Sequence, residues 1–228
     1  MVQEKSRIYA RLRAPRAAAI AGILFAVLLF ISVFRLIIYI PESPAENVAG
    51  VLAQRNNLLL SFNLIPFAGL MFIWFMAVLR DYLGENEDQF LATVFFSSGL
   101  LFLSTLFVAT GSLNTILLLY GNQIDRLVAF GLFDLGWTFS RFMMFDYATR
   151  MAGVFMISSS ILFLRTRAFP RWVPILGIIL ALIMLFRIGQ INRLGWVFLF
   201  FPLWILLVSI YILISHYRNQ PKAIQIER

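Results

Sequence analysis

The chain contains no cysteine, a single histidine at position 216, and only two lysines, Lys5 and Lys222. Without cysteine there can be no disulfide, thiolate metal site, iron–sulfur cluster or thiol nucleophile. One histidine cannot supply the paired ligands that hold a haem between membrane helices, nor a histidine-rich metal site. No lysine lies inside a long apolar run, so a retinal Schiff base has no attachment point. A Gly-rich phosphate loop, a His-Glu-x-x-His motif and a Gly-x-Ser-x-Gly elbow are all missing. An intramembrane aspartyl protease needs two aspartates within its spans, and only Asp146 falls inside an apolar run. No metal, cofactor or catalytic residue is therefore expected.

Charge is also scarce, and what replaces it is apolar. Charged residues make up 13% of the 228, hydrophobic residues 61%, and the mean hydropathy is +0.86. A soluble domain is about 45–50% apolar and about 25% charged, so lipid has to cover the excess. The 24 phenylalanines suit lipid-facing positions. The formal charge of +8 is carried almost wholly by arginine. A basic excess can point to nucleic acid or anionic lipid, but in a membrane protein the retention of cations on the inner side explains it more plainly. Nucleic acid is not expected as a partner.

A helix needs roughly 20 apolar residues to cross the hydrocarbon core. Six segments qualify or nearly so, at about 17–40, 58–79, 90–117, 143–164, 172–186 and 196–215, the fifth being short. The predicted fold is all-α: a polytopic bundle of six transmembrane helices over residues 17–216. A basic segment (1–16) precedes it and a tail (217–228) follows, both cytoplasmic. The first apolar run exceeds the roughly 7–15 residues of a signal peptide's core, and reads as an uncleaved anchor. Orientation follows from arginine and lysine in the short loops. With the N-terminus inside, Lys5, Arg7, Arg11, Arg13, Arg16, Arg80, Arg165, Arg167, Arg171, Arg218, Lys222 and Arg228 are inside, against Arg55, Arg126, Arg141 and Arg193 outside. Twelve against four favours both termini in the cytoplasm. Asp81, Glu85, Glu87 and Asp88 then also lie inside, a minor conflict because acidic residues weigh little in this rule. The longest outer loop, 120–142, mixes Leu127, Val128, Phe130, Leu132 and Phe133 with Asp125, Arg126 and Asp134. It predicts a helix lying on the membrane surface, with a plain loop as the alternative.

Arginine at the centre of a membrane helix costs about 2.5–3.5 kcal/mol on insertion scales, so charge within a span needs a reason. Arg35 lies late in the first segment, Asn63 and Ser61 early in the second, and Thr110, Ser112 and Asn114 late in the third. Asp146 and Arg150 lie early in the fourth, and Arg187 ends the fifth. In the inside-first topology all of them fall in the outer half of the bilayer. The inner halves are nearly uniformly apolar, apart from Ser158, Ser159 and Ser160. Arg35, Asn63, Asp146, Arg150 and Arg187 are thus the candidate ligand-binding residues of an outer polar cluster, cationic in balance. Arg141 and Asp134 stand at its rim. Guanidinium suits bidentate contact with phosphate or carboxylate, so an anionic small molecule or lipid headgroup is the matching ligand. The competing reading is local: Arg35 and Arg187 snorkel to the interface, Asp146 pairs with Arg150 one turn away, and Asn63 bonds a neighbouring helix.

Pro66 and Pro202 fall inside the second and sixth segments. Each frees a carbonyl four residues earlier, at Phe62 and Phe198. Such breaks build transporter sites but are also ordinary in membrane helices. Ala14, Ala18, Gly22 and Ala26 recur every fourth residue of the first segment, a spacing that lets helices approach closely. The stripe fits packing within the bundle or, alternatively, a seam between copies. Membrane lipid, a second copy and a partner membrane subunit are the candidate partners, and the basic N-terminal segment is a further candidate for anionic headgroups.

Six stretches resemble a loosely defined family of uncharacterised bacterial membrane proteins of actinobacterial type, a six-span domain of unknown function. They are Ala18–Phe25 (AAIAGILF), Asn63–Phe75 (NLIPFAGLMFIWF), Thr93–Phe102 (TVFFSSGLLF), Arg150–Met156 (RMAGVFM), Phe169–Gly177 (FPRWVPILG) and Phe201–Ile212 (FPLWILLVSIYI). The resemblance implies a compact multi-pass protein of the bacterial inner membrane. It carries over no activity and no site residues. Three functions stay open: a non-enzymatic membrane protein binding an anionic amphiphile or partner, a small-solute or ion transporter or channel, and an enzyme acting on lipid. A transporter would show internal symmetry or several intramembrane acids. An enzyme would need a general base or nucleophile. Asp146 is the sole candidate for either role, which favours the first.

Overall fold

A chain that enters lipid must satisfy its backbone amides internally, as helices or a closed barrel. The computed structural model describes residues 2–39, 48–83, 89–120, 131–186 and 196–224. Among them every regular element is helical. In chain order these are α1 (Val2–Tyr39), α2 (Val48–Ala53), α3 (Arg55–Leu83), α4 (Gln89–Tyr120), α5 (Leu132–Phe142), a π-helical turn (Met143–Ala148), α6 (Thr149–Thr166), α7 (Trp172–Phe186), a 3₁₀ turn (Val197–Leu199) and α8 (Phe200–Ile224). Five stretches are long and apolar enough to cross a membrane: Arg16–Tyr39, Arg55–Arg80, Gln89–Leu118, Phe133–Thr166 and Val197–Arg218. The protein is an all-α helical bundle of multi-pass membrane type. The fifth segment is short, as expected: α7 has 15 residues, or about 22 Å at 1.5 Å per residue against a hydrocarbon core of about 30 Å.

Neighbouring long helices run antiparallel, as short connections dictate. Arg35 of α1 meets Asn57 at the start of α3, and deeper in, Phe25 packs on Phe72 with ring centroids 4.6 Å apart. Phe95 of α4 packs on Phe155 of α6 at 4.6 Å, and Ser112 meets Ser140 at the other end of the same seam. Against α1, the chain around α8 runs the opposite way, from Trp196 beside Phe34 through Phe201 beside Phe25 to Ser209 over Gly22. The stripe on α1 serves this packing: Ala18, Gly22 and Ala26 are buried, and a β-carbon on Gly22 would collide with Ser209 and Phe75. The side chain of Ala14 lies outside the described residues.

The expectation that phenylalanine faces lipid is overturned at the centre. Phe25, Phe72, Phe102, Phe155 and Phe201 come from five different helices and are fully buried. Phe72 lies 5.5 Å from Phe102, 5.1 Å from Phe155 and 5.6 Å from Phe201, centroid to centroid. Lipid tails are as apolar as the protein interior, so helices associate through packing rather than water exclusion. Interlocked rings supply dense contact and a quadrupole term of about 0.5–1.5 kcal/mol per pair.

Two further expectations change. The segment before the fourth span does not lie apart on the surface: α5 runs through the π turn into α6 as one rod, Phe133–Thr166, of 34 residues. Phe133, Gly136, Ser140, Met144, Ala148 and Ala152 are buried along one seam, and the wider π turn keeps that seam turned inward. At about 51 Å, such a rod exceeds the hydrocarbon thickness and must tilt or project. The part of the expected surface helix at Asp125–Phe130 lies outside the described residues. Pro202, read as an interior break, is instead the third residue of α8, in the first turn, where the missing N–H costs little. Pro66 does sit inside α3, which continues through it.

Candidate functional site

The antiparallel order gathers one set of helix ends. These are the C-terminal ends of α1 and α4 and the start of α3, with α5, the π turn and the first turn of α6 alongside. Arg35 reaches across from α1 to α3. Its Nη2 donates to Asn57 Oδ1 at 2.9 Å and its Nε to Ser61 Oγ at 3.3 Å. Asn57 in turn donates from Nδ2 to Gln54 Oε1 at 2.8 Å, and the buried Ser61 hydroxyl donates to the Asn57 carbonyl at 2.9 Å. The guanidinium carbon also lies 5.3 Å from the Tyr39 ring centroid, one turn along α1. An arginine near a membrane helix end is thereby held by oriented dipoles and a ring face rather than by a carboxylate.

Asn63, named as a member of this cluster, is excluded from it. The residue is exposed, on the outer side of α3. Helix phase explains the outcome: residues advance about 100° each, so Asn57 and Ser61, four apart, share the face toward Arg35. Asn63 lies about 200° beyond Ser61. Sequence reasoning noted Ser61 but missed Asn57 and Gln54, whose i, i+3 spacing could have flagged a polar face. It also left Arg55 in a loop. That side chain donates from Nε to the Leu117 carbonyl at 3.2 Å, satisfying one of the free carbonyls at the end of α4.

On the neighbouring rod, Asp146 and Arg150 form the ion pair expected from their spacing, with Arg150 Nη1 3.2 Å from Asp146 Oδ1. The two sides differ in access. Asp146 faces inward with 14% of its side chain exposed, whereas the Arg150 side chain is 43% exposed. Asp146 belongs to the π turn. Such turns concentrate at functional sites because they interrupt the regular ladder, and here Thr149 Oγ1 donates back to the Met144 carbonyl at 3.3 Å, five residues earlier. Close by, Ser112 and Ser140 share a 2.9 Å hydrogen bond between α4 and α5. Asn114 Oδ1 is buried with no hydrogen-bond partner. Asp134 and Arg141 are exposed on α5, and Arg187 lies outside the described residues.

The candidate residues thus form two subclusters at one end of the bundle, Arg35–Asn57–Ser61 and Asp146–Arg150. Chemically, the second presents a partly open guanidinium anchored by a carboxylate. Among the described residues no group of three or more His, Asp or Glu side chains could hold a metal ion. Ser158 and Ser159, in the serine run of α6, donate to carbonyls of their own helix. Ser160 Oγ and Trp204 Nε1 are buried without hydrogen-bond partners, both next to the position a β-carbon on Gly177 would take. No family model, curated protein or solved structure matches the chain.

Proposed function

We propose that the protein is a non-enzymatic, multi-pass protein of the bacterial inner membrane that binds an anionic amphiphile, or the acidic face of a partner membrane protein, at its Arg150 end. One observation carries this reading: the guanidinium of Arg150 is held at 3.2 Å by a largely buried Asp146 yet keeps 43% of its side chain exposed. A guanidinium has five N–H donors in a fixed fork, and this contact engages one nitrogen. The remaining donors are oriented by the anchor and suited to a phosphate or carboxylate. The aromatic middle of the bundle, closed by Phe72, Phe102, Phe155 and Phe201, argues for binding at one end over passage through both leaflets. A single intramembrane acid already paired with arginine is a poor general base, which argues against lipid chemistry.

In this reading the chain crosses six times, α7 included, as in the actinobacterial-type family it resembles, and the distribution of Lys and Arg sets both termini in the cytoplasm and the Arg150 end outside. Reporter tags at Glu85 and Gln123 should then appear on opposite sides of the bilayer. For the site itself, the probe is dodecyl phosphate, titrated onto the purified protein in mild neutral detergent and followed by native mass spectrometry. Arg150→Leu is expected to weaken its retention about tenfold, the worth of one charge-assisted contact, and Asp146→Leu to weaken it less. Retention by the Asp146→Leu/Arg150→Leu double variant at the wild-type level would overturn the reading.

A further inference from the structure

At the opposite end of the bundle, α6 ends and α7 begins within a short connection that carries Arg167 and Arg171, both exposed. Arg167 is the one non-glycine among the described residues with positive φ, at 53°. It caps α6 in the left-handed conformation, which ends the helix there and sets the direction of its Cα–Cβ bond. Arg171 immediately precedes α7, and its carbonyl accepts from Ile175 N at 3.3 Å while Val173 N donates to the Pro170 carbonyl at 3.0 Å. With Pro174 lacking an N–H, most backbone donors of this first turn are absent or used, so an anion here would be met by guanidinium groups.

Directly below the arginines lies an apolar stripe. Trp172, Ile175, Ile179 and Leu182 are each exposed on one side of α7, at the 3, 4 and 3 residue steps of a single helix face. From Trp172 to Leu182 the stripe runs about 15 Å, half of a hydrocarbon core of about 30 Å and so the depth of one leaflet. Because α7 is shorter than that core, mismatch draws its flanking residues toward the headgroups instead of leaving them in bulk water. Tryptophan at the boundary fits the same depth.

We infer that this surface is a binding site for one anionic phospholipid, its phosphate held by Arg167 and Arg171 and its acyl chain laid along Trp172, Ile175, Ile179 and Leu182. Two cations at the head of an apolar strip one leaflet long match a phospholipid in charge and in length. A soluble phosphate would use the cations and leave the strip idle. The site lies at the other end of the bundle from Arg150 and does not depend on the function proposed there.

The test uses the full chain in nanodiscs of phosphatidylcholine, with and without 30% phosphatidylglycerol, reading lipid retained on the protein by native mass spectrometry after release into mild detergent. Wild type should retain phosphatidylglycerol in preference to phosphatidylcholine. Each arginine lost should reduce that preference about fivefold, so Arg167→Gln/Arg171→Gln should nearly abolish it. Arg171→Lys should keep part of it, because charge survives without the bidentate fork. Arg218→Gln removes one exposed cation from the same end of the bundle and should leave the preference intact. An equal loss in that control, an unchanged preference in the Arg167/Arg171 variant, or full competition by millimolar inorganic phosphate would each overturn the inference. If the double variant does not accumulate, Arg171→Gln alone decides, by the same fivefold criterion.

Discussion

Arg35 and Arg167 both stand near the end of a long apolar helix, and the bundle treats them in opposite ways. Arg35 points inward across a helix pair and is engaged by Asn57, Ser61 and the face of Tyr39. Arg150 at the same end leans on Asp146, and Arg55 on a carbonyl of α4. At the opposite end Arg16, Arg167, Arg171 and Arg218 are exposed. Both ends carry cations, but Arg35, Arg55 and Arg150 are engaged by groups of the bundle, while Arg16, Arg167, Arg171 and Arg218 present exposed side chains. Overall charge balance cannot distinguish these cases. What separates them is whether polar partners are present on the facing helix at matching depth: Asn57 and Ser61 supply them to Arg35, whereas Arg167 and Arg171 are exposed at a short connection.

If that contrast is right, leucine should be costly at one end and cheap at the other. Arg35→Leu removes two hydrogen bonds donated by a charged group and leaves the Asn57 carboxamide oxygen without its donor. Hydrogen bonds to charged groups are worth about 1.5–3 kcal/mol, and an orphaned acceptor adds its desolvation cost. The expected loss is about 2–4 kcal/mol, seen as a fall of several degrees in thermal unfolding followed in neutral detergent. Arg167→Leu and Arg218→Leu should each stay within about 0.5 kcal/mol of wild type, as exposed substitutions do. Equal losses at the two ends would break the comparison.

The Asp146–Arg150 pair sits between these extremes, because one partner is buried and the other half open. Removing Arg150 takes one cation from a mostly buried carboxylate, while removing Asp146 leaves a guanidinium that can still reach outward. Arg150→Leu should therefore cost more than Asp146→Leu, about 2 against about 1 kcal/mol, figures discounted from those of fully buried pairs because of Arg150's exposure. A double-mutant cycle should return a coupling of about 1 kcal/mol. The reverse order of the single variants would mean that the aspartate is held mainly by other contacts and that Arg150 is no anchor point.

How far the amino-acid pattern foretold this arrangement depended on what kind of signal each residue carried. The apolar runs gave the helices, and the i, i+4 spacing of Asp146 and Arg150 gave their pairing, because both are local properties of a helix. That Arg35 meets Asn57, and that Asn63 lies on the exposed side of α3, has a physical reason. In water, the inward face of a helix declares itself by being apolar, but in lipid both faces are apolar, so the rotation of α3 about its axis was invisible until Arg35 was seen to select Asn57 and Ser61. The same blindness sent phenylalanine to the lipid face, although Phe72 and Phe201 lie at the centre. The π turn was equally hidden, since nothing in Met143–Ala148 distinguishes a five-residue from a four-residue hydrogen-bond step.

The smallest effect is the sharpest probe of the open end. Arg167 pays for its left-handed backbone, a conformation that costs a non-glycine residue about 1–2 kcal/mol and that glycine, the usual residue after a helix C-terminus, adopts freely. Glycine also loses more conformational freedom on folding, so the net expectation for Arg167→Gly is a stabilisation of about 0.5 kcal/mol in neutral detergent. The same variant should lose about fivefold in preference for phosphatidylglycerol, the share of one arginine near a headgroup. Stability and lipid retention would then move in opposite directions in one protein, which cannot happen if Arg167 merely closes the turn. Were both to fall together, the side chain would be holding α6 to α7, and the basic end would be built like the polar one.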